Sequence, residues 1–65
     1  MLTKKEIEVL RLKQKGLIQY EIASRLKITQ PAVSNFYTNA LKKLRSAKKV
    51  LQLAKDLGVK FEEEV

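Results

Sequence analysis

Between Gln19 and Thr38, apolar or small residues recur at intervals that few backbones can satisfy. They are Ile22, Ala23, Leu26, Ile28, Val33 and Phe36, with polar residues between them. Ile22 and Leu26 fall on one face of a helix, and Val33 and Phe36 on the inner face of another. Ala23 is small where two helices must cross closely, and Ile28 is placed to plug a turn. The spacing predicts two helices joined by a sharp turn. With Val33, Phe36, Ala40 and Leu41 turned inward, the second helix presents Gln30, Pro31, Ser34, Asn35, Thr38 and Lys42 outward. This is a helix-turn-helix signature, whose second helix commonly enters the major groove of DNA.

The helix ends are marked in the sequence. Thr3 and Glu6 form a Thr-x-x-Glu capping box, flanked by Leu2 and Ile7 at the spacing of a hydrophobic staple. Ile7, Val9, Leu10 and Leu12 keep helical spacing, and Gly16 ends the segment in the left-handed conformation that glycine adopts cheaply. The first helix is predicted over residues 4–15. The second runs from Gln19 to Leu26, but its N-cap position holds Ile18, which offers no oxygen to the backbone. The third starts after Thr29, with Pro31 in its first turn where a missing N–H is harmless. Ser46 is a candidate cap for a fourth helix reaching Leu57, with one long helix as the alternative. The fold class is therefore all-α, a helix-turn-helix bundle of four helices. Residues 1–45 form the DNA-binding core, 46–58 a C-terminal helix for packing or dimerisation, and 59–65 an acidic tail.

A chain of 65 residues supports one small domain, which buries about 60% of its unfolded surface and is marginally stable. There is no cysteine to supplement the core, so association with a second copy is an attractive source of burial. All 14 Lys and Arg lie within residues 1–60, alongside four carboxylates, and Glu62, Glu63 and Glu64 follow. A basic body of this kind suits a polyanion. The lack of histidine and cysteine removes the common nucleophile–base pairs and zinc sets, and the two glycines stand alone, so no phosphate-cradling loop exists. The chain reads as a non-enzyme with no cofactor, no metal and no evident small-molecule ligand. With no apolar run long enough for a membrane and no signal-peptide core, a cytoplasmic, nucleoid-associated location is expected.

The motifs Leu2-Thr3-x-x-Glu6-x-x-Val9-Leu10, Gly16-Leu17, Glu21-Ile22-Ala23, Leu26-x-Ile28-Thr29 and Val33-Ser34 with Ala40 resemble the LuxR-type DNA-binding domain. They also resemble region four of sigma factors. Gly16-Leu17-x-Gln19-x-Glu21-Ile22-Ala23, with a lysine-rich helix after Ala40, is most similar to archaeal Tfx-type transcriptional regulators. The likeness spans residues 2–57. It departs from the family pattern at Ile18, where Ser or Thr is usual, and at Lys27, where many such proteins have glycine. No receiver or ligand-binding domain is attached, so the chain reads as a minimal regulator or an excised domain.

The resemblance implies that the third helix, residues 30–42, is the recognition helix. Gln30, Pro31, Ser34, Asn35 and Thr38 are the candidate base-contacting residues, since amides and hydroxyls can bond base edges. Tyr20, Lys27, Thr29, Lys42, Lys43 and Arg45 are the candidate phosphate contacts. Tyr37, beside Phe36, reads as half-buried packing. Ala47, Val50, Leu51, Ala54 and Leu57 form an apolar arc that suits a homodimer seam or packing back onto the first helix. The expected activity is sequence-specific regulation of transcription by a homodimer on palindromic double-stranded DNA. The alternatives are a protein-interaction module docking on polymerase or another regulator, and a non-specific nucleoid DNA-binding protein.

Overall fold

The computed structural model describes residues 1–59 and folds them into three helices. Helix α1 is Lys4–Gln14, α2 is Gln19–Leu26 and α3 is Gln30–Asp56. Thr3 Oγ1 accepts from the Glu6 N–H at 3.2 Å, and Glu6 Oε1 accepts from the Thr3 N–H at 2.9 Å, completing the box at the start of α1. Thr29 Oγ1 likewise accepts from the Ala32 N–H at 3.2 Å at the start of α3.

All three helices end in the same way. The Leu17 N–H donates to the Leu12 carbonyl, the Ile28 N–H to Ala23 and the Val59 N–H to Ala54, each closing a Schellman loop. The left-handed residue is Gly16 at the first end and Gly58 at the third. At the second it is Lys27, with φ 59° and ψ 45°. The turn geometry that glycine normally provides is kept, although lysine must hold it against the clash of its Cβ with the following carbonyl.

The core lies where the three helices meet. Val9, Leu12, Ile22, Ala23 and Val33 are its buried members, with Leu17, Leu26, Ile28, Phe36 and Tyr37 packed around them. Ala23 is 6% exposed, consistent with the small residue that the crossing demands. Tyr37 is half-buried as its position next to Phe36 implies, and the Lys13 ammonium sits 5.1 Å from its ring centroid.

The expectation of four helices is corrected. α3 continues unbroken for 27 residues, and Ser46 caps nothing. The segment from Ala32 to Leu57 lacks glycine and proline, and its Leu, Lys, Arg and Ala residues favour the helix. A break at Ser46 would exchange several ladder bonds for one side-chain cap. The helix is about 40 Å long, close to the 45 Å long dimension of the molecule. From Leu44 to Val59 every residue is exposed except half-buried Ala54. The C-terminal half of α3 therefore projects past the core and does not fold back onto α1. Residues 60–65, which hold the triple glutamate of the predicted tail, lie outside the described residues.

Candidate nucleic-acid interface

Helix α3 has two faces with different roles. Val33 and Ala40 are buried and Phe36 is half-buried on the inner side. Gln30, Pro31, Ser34, Asn35 and Thr38 are all exposed on the outer side. At about 100° per residue, Lys42, Arg45 and Lys49 fall within the arc defined by Ser34 and Asn35, and all three are exposed. The polar row thus runs directly into a row of cations along one side of the rod. Amides and hydroxyls that can bond base edges are followed by charges that can bond phosphates.

The same geometry carries the inner stripe beyond the core. Ala47, Leu51 and Ala54 continue the arc of Val33, Phe36 and Ala40, with Val50 and Leu57 at its margin. Val50 is 64% exposed and Leu57 71%, so most of this stripe is open to solvent, with Met1 beside Ala47 and Val50 at its near end.

The turn flanks the outer row. Tyr20, Lys27 and Thr29 are exposed, but Tyr20 lines a cleft with Gly16, Leu17, Ser24 and Arg25, between the end of α1 and α2. The Thr29 oxygen is engaged as the α3 cap. Lys43 differs from its neighbours. Sequence reasoning groups it with Lys42 and Arg45, yet it points to the opposite side of α3. Its Nζ donates to Glu6 Oε1 at 2.9 Å, to Glu6 Oε2 at 3.2 Å and to the Met1 carbonyl at 3.1 Å. Glu6 is only 3% exposed. The Thr3 backbone N–H and the Lys43 ammonium hold its carboxyl below the ordinary carboxylate range.

Two features escape the sequence reading. The burial of Glu6 had a signal: it shares the helical stripe of Val9 and Leu12, so a carboxylate there must find a partner. Gln19 had none. Its Nε2 donates to the Gln30 carbonyl and to Ser34 Oγ, both at 2.6 Å, joining the start of α2 to the outer row of α3.

Among the described residues, no helix is long and apolar enough to cross a membrane. Residues 1–58 match the family described as bacterial regulatory proteins, luxR family. Over 59 residues the chain is 44% identical to a Pyrococcus horikoshii protein named "Putative transcriptional regulatory protein PH0763", covering 91% of this chain and 41% of that protein. The chain thus spans about two fifths of that relative's length, and the archaeal source fits the Tfx-type likeness. No solved structure matches the chain significantly. With the family match extending over the cap of α1, the left-handed turn at Lys27 and the whole of α3, this protein belongs to the luxR family of helix-turn-helix, DNA-binding regulatory proteins.

Proposed function

We propose that the chain is a sequence-specific transcriptional regulator that places residues 30–42 of α3 in the major groove of double-stranded DNA. The observation that carries this reading is the exposed row Gln30, Pro31, Ser34, Asn35 and Thr38, polar except for Pro31, on a helix whose opposite face is anchored in the core. A protein-docking surface would present large apolar side chains there instead. Asn35 is the strongest base reader, because its amide can bond adenine N6 and N7 together. Tyr20, Lys27, Thr29, Lys42 and Arg45 contact phosphates around it, and Lys43 joins them only by leaving Glu6.

The protein binds as a homodimer through Ala47, Val50, Leu51, Ala54 and Leu57. One copy covers too few base pairs for useful discrimination, and two recognition helices about 34 Å apart read a palindrome. The exposed apolar stripe on the projecting half of α3 supports this arrangement.

Selection of bound duplexes from a random pool at about 150 mM salt tests the proposal. Asn35→Ala is expected to lose preference at one position per half-site, at a cost of about 1–3 kcal/mol. Lys42→Ala is expected to weaken all sequences alike and to lower the salt slope by about one. Equal affinity for selected and bulk DNA would favour non-specific nucleoid binding.

A further inference from the structure

We propose that Gln19, on α2, is a specificity-determining residue that makes Ser34 a hydrogen-bond donor toward DNA. The inference rests on the reading of α3 as the groove-entering helix and names what one of its positions recognises.

The chemistry begins with the Gln30 carbonyl. A carbonyl oxygen has no proton, so the atom of the Gln19 amide that faces it at 2.6 Å must be the donor nitrogen, Nε2. The amide orientation is thereby fixed. The second Nε2 proton then goes to Ser34 Oγ, also at 2.6 Å, where the hydroxyl acts as acceptor. Both protons of the amide nitrogen are used.

Ser34 is left with a polarised hydroxyl. In a helix, a serine ordinarily has the option of donating back to the carbonyl four residues earlier. For Ser34 that carbonyl belongs to Gln30, which already accepts from the helix ladder and from Gln19. The back-bond is blocked, and the hydroxyl proton is turned outward. Donation from Gln19 into Oγ also strengthens Ser34 as a donor. Facing a groove, such a hydroxyl bonds a keto edge, guanine O6 or thymine O4, in preference to the amino groups of adenine or cytosine. Gln19 acts through Ser34 and is a positioning residue.

The test uses the full chain and duplexes chosen by selection from a random pool. Ser34→Ala first identifies the base pair that Ser34 reads. At that position the wild type is expected to favour a keto base by about threefold to tenfold. Replacing that base by an analogue without the keto oxygen (2-aminopurine for guanine, 5-methylpyrimidin-2-one for thymine) is expected to remove the preference. In Gln19→Met the Gln30 carbonyl is freed and Ser34 bonds back to it. This variant should then lose the keto preference at that one position, respond to neither analogue and leave the Asn35 position unchanged. A lost helix bridge alone would weaken every position together. A wild type that enriches a site which Gln19→Met reads identically, analogues included, overturns this proposal alone. A wild type that enriches no sequence overturns the DNA reading and this proposal with it, as does enrichment that Ser34→Ala leaves untouched for the Ser34 contact.

Discussion

Lys43 Nζ lies within hydrogen-bond distance of both oxygens of Glu6, 2.9 and 3.2 Å away, and so ties the middle of α3 to the first turn of α1. The same carboxylate caps Thr3. One side chain therefore closes a local helix start and a long-range contact, at the point where α3 leaves the core.

The pair makes stability depend on acidity. The folded state holds the Glu6 carboxyl below its ordinary value of 4.5, so its contribution is complete above that value and is lost as pH falls through the lowered folded value. Thermal melts from neutral pH to about pH 3 are expected to show Tm falling in the wild type and falling less in Glu6→Gln. Parallel curves for the two proteins would assign the acid limb to other groups.

Lys27 holds the left-handed turn with φ 59°. That conformation costs an L-residue about 1–2 kcal/mol. Glycine removes the strain but is freer when unfolded, by about 0.4–1 kcal/mol. Lys27→Gly is expected to raise unfolding free energy by a net amount of about 0.5–1 kcal/mol. Lys27→Ala keeps the strain and should leave stability near the wild type in chemical denaturation.

At the start of α2, Glu21 Oε1 accepts from the Ile18 N–H at 2.9 Å, giving half of a capping box. Ile18 is 61% exposed, so little packing is lost by replacing it. Ile18→Ser and Ile18→Thr are each expected to stabilise the protein by about 0.5–2 kcal/mol. A lower melting temperature in both would reveal a packing role for Ile18.

If α3 carries the dimer contact, sedimentation at high concentration and on DNA should give a wild-type dimer and a Val50→Glu monomer. The Val50 side chain is 64% exposed and outside the core, so the variant should still melt cooperatively. A wild type that stays monomeric in both conditions would remove the stripe from the interface.

The sequence specified local features well and long-range partners poorly. Thr3, Gly16 and Gly58, and Glu6 in its capping role, act within a few residues of themselves, and their helix ends appear where the capping rules put them. Ile22, Ala23 and Val33 are buried as their spacing implies. Ser46 misleads because a capping residue is a permission to stop, which a strong helix former on either side overrides. The outward row of α3 could be inferred from its inward one. The Gln19 bridge could not, since it depends on how the start of α2 approaches α3 across 15 residues of sequence.

The unbroken helix through Ser46 has a mechanical consequence. Asn35 and Leu57 stand about 33 Å apart on one stiff rod, with no hinge to absorb misalignment. Whatever grips the far end at Leu57 dictates the angle at which Asn35 is delivered, much as the handle of a caliper sets its jaw. In a pair of such rods, a single inserted base pair between half-sites would be met by leverage instead of accommodation.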